Sequence, residues 1–395
     1  MKQKNVRLVI VGGGFAGLKL ALKLGNDERF KITLINDRDH FLFYPALYST
    51  ATGRSRQQSV IPISQVLQGT NVTFVQDTVT GIDANRKIAI GRTKQYHYDK
   101  VVFALGVVTS YFGIAGLDEY SYSIKSSHEI ERFRRHLHDQ LTSTQQLDKN
   151  YIVVGAGPTG VELAALLSQY IETVARQHGV SHGRAHVSLV EAAPRVLPRL
   201  SERSSELVHR RLRSVNVRIM TNKRVESEDD DSIIISGRDI PSRSVIWTSG
   251  VANHPFYREH DNVFTLAKNG RVTVDNNLRA APDIYVIGDN ADTPYVGLAQ
   301  TAMYDALFVA KSLRAEIAGN RLPRYRPRRQ PIVIPVGENW ALLEYGPIRV
   351  TGIAGMVIHK AAAFIGYKDY FSLPKALSLW ISETAHDEVC PVCGR

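Results

Sequence analysis

Two glycine-rich turns, each closing an apolar strand, constrain this chain more than any other feature. Gly12-Gly13-Gly14-Phe15-Ala16-Gly17 follows Val6-Arg7-Leu8-Val9-Ile10-Val11, and Gly155-Ala156-Gly157-Pro158-Thr159-Gly160 follows Tyr151-Ile152-Val153-Val154. In a strand–turn–helix crossover, the first glycine permits the tight turn and the second lets the backbone approach a pyrophosphate. The third lets the helix lie against the strand. The helix start then offers unpaired N–H groups and partial positive charge to phosphates. One such turn is also compatible with an ordinary strand-to-helix connection. Two in the same context predict two bound dinucleotides, the arrangement that brings a flavin and a nicotinamide together.

A chain of 395 residues predicts two or three domains. The 49 Lys and Arg exceed the 38 Asp and Glu, giving a formal net charge of +11. Such a balance suits nucleic acid or anionic lipid. No nucleic-acid motif accompanies it, so no nucleic-acid partner is expected. Arg321, Arg324, Arg326, Arg328 and Arg329 are interrupted by Pro323 and Pro327. That spacing excludes a basic helix and leaves a solvated linker or a lipid-headgroup contact. No run of 18 uncharged apolar residues occurs, so no transmembrane helix is expected. The basic, apolar N-terminus is broken by three glycines and reads as a cytoplasmic start. The two cysteines, Cys390 and Cys393, lie in the last six residues. This excludes a disulfide framework and fits a reducing compartment.

Along the chain, Lys31–Ile35 reads as the second strand of the first unit and is followed by Asn36. That position usually carries an acid for ribose hydroxyls; Asn36 can hydrogen-bond a ribose without charge. Further strands are expected at Val72–Val75, Lys87–Ile90 and Val101–Leu105. The last leads into Gly106, either a close approach to cofactor or a turn glycine. Ser126–Leu141 and the stretch from Thr159 to about His178 read as helices. Val187–Val190 ends at Glu191, whose carboxylate suits the two hydroxyls of an adenine ribose and opposes a 2′-phosphate. Arg195 leaves the phosphate open. Short strands follow near Arg218–Met220, Ser232–Ile235 and Val245–Trp247. The apolar strand Ile284–Ile287 ends in Gly288-Asp289, placing Asp289 to accept from a ribityl hydroxyl. A helix beginning near Leu298 would carry Ala299, Gln300 and Thr301 at its N-terminus. There it could stabilise an anionic reduced flavin, and Gln300 could hydrogen-bond an electron acceptor. Glu162 is either an orienting carboxylate near the nicotinamide or a helix-start acid favoured by the macrodipole.

The tail pairs apolar helical faces with flanking lysines. Val357, Ala361, Phe364 and Ile365 share one face, and Leu373, Leu377, Trp380 and Ile381 another. Such faces suit the membrane interface, a dimer contact or the protein's own core. The terminal Cys390-Pro391-Val392-Cys393 with His386 supplies three zinc ligands at most, against four needed. It reads as an accessory or metal-binding tail, with no metal expected in the reaction.

These motifs resemble the type II NADH dehydrogenases, single-subunit NADH:quinone oxidoreductases of the pyridine nucleotide-disulfide oxidoreductase superfamily. The more specific strings are Gly157-Pro158-Thr159-Gly160-Val161-Glu162-Leu163-Ala164, Pro45-Ala46-Leu47-Tyr48 and Ala299-Gln300. Ala104-Leu105-Gly106, Trp247-Thr248-Ser249-Gly250 and Gly288-Asp289 extend the match along nearly the whole chain. The resemblance implies an α/β fold with two Rossmann-like dinucleotide-binding domains, the second inserted in the first, and a C-terminal membrane-associating region. It implies noncovalent FAD at Gly12, Gly14, Phe15, Ala16, Gly17, Asn36, Pro45, Val79, Ala104, Gly106, Asp289, Ala299 and Gln300. NADH is implied at Gly155, Gly157, Pro158, Thr159, Gly160, Glu162, Glu191, Ser249 and Gly250. It sets Glu162 beside the flavin and Gln300 at a membrane-quinone site, and Asn36 and Leu105 stand where the family carries an acid and a threonine.

The expected division is a flavin domain over 1–116 and 269–330, an NADH domain over 117–268, and a membrane-surface or dimer region over 331–395. The expected activity is non-proton-pumping transfer of a hydride from NADH to flavin N5, then of two electrons to a membrane quinone. The site would lie at the cytoplasmic face of the cell membrane, on a peripheral homodimer bound to anionic lipid. Three alternatives compete: a sulfide:quinone oxidoreductase, a soluble flavin reductase serving a small electron-transfer protein, and a flavin-bound NADH sensor. The first needs a cysteine pair near the flavin, and residues 1–389 contain no cysteine.

Overall fold

A computed structural model describes residues 5–142, 148–177 and 185–384. Strand Val6–Val11 lies at the centre of a six-stranded sheet. It runs parallel to Phe30–Asn36 on one side and Lys100–Phe103 on the other. Leu8 and Ile10 enter one buried cluster, Val9 and Val11 another on the opposite face. This two-sided burial is why the strand reads as a nearly continuous apolar run. Strand Ile284–Val286 returns from far along the chain to pair in parallel with Lys100–Phe103, as the sequence order suggests.

Between these parts of the first sheet the chain builds a second, four-stranded parallel sheet. Its order is Val217–Met220, His186–Val190, Asn150–Val154, Ser244–Trp247. Tyr151 and Val153 face one cluster and Ile152 and Val154 the other. Each fingerprint connects a central strand to a helix, Phe15–Leu24 in the first unit and Pro158–Gln177 in the second. The antiparallel pair Val107–Thr109 and Val251–Asn253 joins the two units.

One segment of the first unit belongs structurally to the second. Strand His40–Leu42 leads through the turn Tyr44–Ala46 into the short helix Leu47–Ala51. Leu42, Leu47 and Ala51 are buried in the cluster that contains Val161, Leu163 and Leu167. Beyond that helix, Gly53 has φ +101°, and an added Cβ would lie 2.5 Å from the Tyr170 ring.

Helix Glu202–Ser214 is absent from the sequence reading, yet it carries a local start signal. The Ser201 hydroxyl accepts the Ser204 N–H at 3.3 Å, and Val208 and Leu212 are buried. Strands Ile332–Pro335, Ala341–Tyr345 and Ile348–Val350 form an antiparallel sheet whose middle strand packs on this helix. Buried Glu344 accepts the Ser201 hydroxyl at 2.7 Å and the Ser204 hydroxyl at 2.5 Å.

The last two helices, Gly352–Lys368 and Leu373–Thr384, return to the first unit. Tyr370 donates to the Phe15 carbonyl at 2.8 Å, and Tyr367 stacks on Phe43 with ring centroids 4.2 Å apart. Val357, Ile365, Leu377 and Ile381 are exposed, joined by Ile353 and Leu373. Phe364 and Trp380 depart from the expected faces. Their rings meet edge to face at 5.8 Å, and Trp380 Nε1 donates to the Lys360 carbonyl at 2.8 Å. The two large rings pin the helices together, leaving the aliphatic side chains outside. Among the described residues, no helix is long and apolar enough to cross a membrane.

Candidate functional site

The first fingerprint turn is built by close backbone approach. Gly12 has φ +111°, and a Cβ there would lie 2.2 Å from the Ala104 carbonyl oxygen; one on Gly17 would lie 1.9 Å from the Gly12 oxygen. Gly14 differs: an added Cβ would meet nothing within 4 Å. It precedes a helix whose start has no side-chain cap among the described residues. Asn36 buttresses the turn, its Oδ1 accepting the Gly13 N–H at 2.7 Å and its Nδ2 donating to the Arg38 carbonyl at 2.9 Å.

Asn290, fully buried, holds the opposite wall. Its Oδ1 accepts the Gly106 N–H at 2.8 Å and its Nδ2 donates to Asn253 Oδ1 at 2.7 Å. Asp289 accepts the Gly297 N–H at 2.8 Å. Burial pushes its carboxyl above the ordinary range against the hydrogen bond from Gly297. Buried Asp305 fixes the preceding residue, accepting the Gly288 N–H at 3.1 Å and the Tyr325 hydroxyl at 2.6 Å. Burial pushes Asp305 up to about 6. Pro45 sits in the turn beside Phe15, whose ring lies 6.4 Å from that of Tyr44. Val79 begins strand Val79–Asp83 and packs in the cluster of Val11 and Ile35. Ala299 opens helix Ala299–Ile317, again without a side-chain cap. Next to it, the buried Gln300 Oε1 has no hydrogen-bond partner among the described residues.

The second turn repeats this construction. Gly155 has φ +105°, and an added Cβ would lie 2.1 Å from Ser249 Oγ; one on Gly160 would lie 1.8 Å from the Gly155 oxygen. Gly157, like Gly14, faces open space. Glu191 occupies the position equivalent to Asn36, its two carboxylate oxygens accepting the Ala156 N–H at 2.7 Å and the Ala193 N–H at 2.8 Å. The Arg195 guanidinium turns to the carbonyls of Leu197 and Pro198 at 3.3 and 2.9 Å.

Two further contacts flank the second turn. Lys125 Nζ lies 3.4 Å from the Gly250 carbonyl. Burial pulls the lysine below its usual range, opposed by the charges of Glu129 and Asp289. The Tyr48 hydroxyl lies 3.1 Å from Thr159 Oγ1. Half-buried Glu162 follows three residues along the same helix, and its charge acts on Tyr48.

Comparison with known proteins identifies the family. A sequence model of the pyridine nucleotide-disulphide oxidoreductase family matches residues 6–306. The type II NADH:quinone oxidoreductase Ndh of Mycobacterium tuberculosis is 30% identical over 399 residues, covering 92% of this chain and 85% of the relative. The chain belongs to the type II NADH:quinone oxidoreductases. A second member, from Staphylococcus haemolyticus, is 29% identical over 345 residues, covering 81% of this chain and 84% of its own. The solved structure of NDH2 from Plasmodium falciparum in complex with NADH superposes with a TM-score of 0.87. It is 19% identical, and 99% of each chain is covered; that likeness speaks for the fold.

For a type II oxidoreductase the donor set fits FAD at the first turn and NADH at the second. Each offers an open helix start, a glycine that keeps the approach clear, and a polar side chain at the next strand end. Cys390 and Cys393 lie outside the described residues. Sequence reasoning assigned no role to Asn290, Asp305, Lys125 or Tyr48. Asp305 carried a signal, being an acid set among Ala302, Ala306 and Val309 on a helix.

Proposed function

We infer that this chain is an FAD-dependent NADH:quinone oxidoreductase. The carrying observation is the pair of open glycine cradles, with Tyr48 of the flavin-side stretch bonded to Thr159 of the second; the kinship supplies quinone as acceptor. FAD bound at the first turn would accept a hydride from NADH and give up two electrons to the quinone. In this reading the N–H groups before Phe15 hold the flavin pyrophosphate, Asn36 the adenine ribose and Asp289 the ribityl chain. The uncapped start of Ala299–Ile317 places its positive end against charge that develops on reduction. Gln300 offers its unpaired oxygen and its amide to the acceptor. The N–H groups at the start of Pro158–Gln177 hold the NADH pyrophosphate. Glu191 takes the adenine ribose in place of its two backbone donors, and Ser249 and Gly250 line the nicotinamide side. Glu162 orients that ring beside the flavin. Arg195 is turned to the carbonyls of Leu197 and Pro198, and the Glu191 carboxylate opposes a 2′-phosphate, which favours NADH over NADPH.

We further propose that the protein works as a peripheral homodimer on the cytoplasmic face of the membrane. The exposed row Ile353, Val357, Ile365, Leu373, Leu377 and Ile381 is an apolar face for the lipid interface. All five arginines between Arg321 and Arg329 are exposed and suit anionic headgroups. The proposed divisions remain 1–116 with 269–330 for FAD, 117–268 for NADH and 331–395 for the membrane or dimer surface.

Anaerobic titration of the FAD-loaded protein with NADH, followed by a short-chain quinone, tests the activity. Bleaching of the yellow colour and its return on adding quinone are expected. A flavin that NADH does not bleach would sink the reading, as would one reoxidised by ferredoxin-type acceptors but not by quinone.

A further inference from the structure

We propose that Tyr48 and Thr159 form a latch between the two units that sets the approach of nicotinamide to flavin, making Tyr48 a positioning residue for hydride transfer. The proposal rests on the NADH:quinone reading above. Tyr48 belongs to the flavin-side helix Leu47–Ala51, three residues beyond Pro45. Thr159 lies inside the second fingerprint, on the first turn of the helix that carries Glu162. Their hydroxyls are 3.1 Å apart. Either can donate, so the pair can be satisfied whichever way each proton points.

The surroundings make this contact specific. Leu47 and Ala51 anchor the short helix in the second unit's core, and Gly53 abuts the Tyr170 ring. The Tyr48 backbone carbonyl accepts the Thr52 hydroxyl at 2.9 Å, so the end of this helix is pinned as well. Desolvation keeps the Tyr48 phenol protonated through the working pH range, opposed by the Thr159 bond and assisted by the Glu162 charge. The hydroxyl pair thus joins the stretch beside Pro45 directly to the cradle of the other cofactor. Apolar packing tolerates sliding of a few tenths of an ångström, whereas a hydrogen bond fixes distance and direction. Hydride transfer depends steeply on that placement.

The test uses FAD-loaded wild type and the variants Tyr48→Phe, Thr159→Val, Thr159→Ser and the Phe/Val double variant. Anaerobic stopped-flow gives the limiting bleaching rate, calorimetry gives NAD+ affinity, and FAD occupancy and thermal midpoint are measured alongside. Tyr48→Phe and Thr159→Val should each slow the limiting rate about three- to tenfold, the range of one net hydrogen bond. The double variant should be no slower than either, and Thr159→Ser should recover most of the rate. NAD+ affinity of Tyr48→Phe and FAD occupancy of every variant should stay within about twofold. Each single variant should lower the thermal midpoint by the same small amount and the double variant no further. A wild-type rate in Tyr48→Phe overturns the latch. So do additive losses in rate and midpoint, or a parallel fall in FAD occupancy and NAD+ affinity, which marks simple loosening. Wild-type protein that binds FAD but is not bleached instead overturns the activity reading; non-coupled midpoints would then remove the latch as well.

Discussion

The carboxamide oxygen of Asn36 accepts the Gly13 N–H at 2.7 Å, so a strand end holds the first glycine turn. Replacing Asn36 with Ala orphans that N–H and should weaken FAD binding about five- to tenfold, the scale of one net hydrogen bond. Asn36→Asp keeps the acceptor and should lose less. Release of flavin fluorescence on dilution measures both, and equal affinities across the three proteins would refute the role.

The glycines of the second turn should separate by function. A Cβ on Gly155 collides with Ser249 Oγ at 2.1 Å on a backbone of φ +105°. Gly155→Ala should therefore cost on the order of 1–3 kcal/mol of stability. Gly157→Ala meets no atom within 4 Å, so the thermal midpoint should hold while NADH affinity falls at least tenfold. The pyrophosphate approach is then blocked without strain in the fold. A Gly157→Ala protein with normal NADH affinity would mean that this turn does not hold the dinucleotide.

Glu191 should govern the choice of reductant. Glu191→Gln removes the charge that opposes a 2′-phosphate, so the ratio of kcat/KM for NADH to that for NADPH should fall by about tenfold or more. Arg195→Ala should leave this ratio nearly unchanged, because its guanidinium is spent on the carbonyls of Leu197 and Pro198. Steady-state assays with both reductants decide between these outcomes.

Burial lifts Asp305 from the ordinary 3.8 to about 6. Its folded value exceeds its unfolded one, so the native state binds the proton more tightly. Its contribution to stability is greatest below pH 3.8 and declines as pH rises to about 6. Asp305→Asn keeps an acceptor for the Gly288 N–H and removes the titration. Thermal midpoints between pH 4 and 8 should show wild type losing several degrees relative to this variant across that window. Parallel curves would show that Asp305 does not titrate there.

Serine at Ile353, Val357 and Ile365 should abolish co-sedimentation with vesicles containing phosphatidylglycerol while leaving NADH oxidation by a water-soluble acceptor intact. Gln at the five arginines should instead remove only the salt-sensitive part of the binding. Undiminished sedimentation of the serine variant would exclude that face as the lipid contact.

The parts legible in the sequence are those where backbone geometry dictates residue type. Gly12 and Gly155 announce their turns because no side chain fits there, and the strand before each is apolar on both faces. The return of Ile284–Val286 to the first sheet was readable from its Gly288-Asp289 ending. Long-range polar latches were not legible: Asn290 and Gly106 are far apart in the chain, and neither has an unusual neighbourhood. Helix Glu202–Ser214 escaped because its exposed charges mask a narrow buried stripe of Val208 and Leu212. In the tail, helical spacing grouped Phe364 and Trp380 with Val357 and Ile381. Only packing revealed that the rings close the helix pair and the aliphatics face outward.

The lodging of Leu42, Leu47 and Ala51 among the neighbouring unit's core residues removes a freedom that chains with two nucleotide-binding lobes often keep. A rigid-body swing would have to tear an apolar seam. The two cradles are thereby held at a distance that packing, and not a hinge, prescribes.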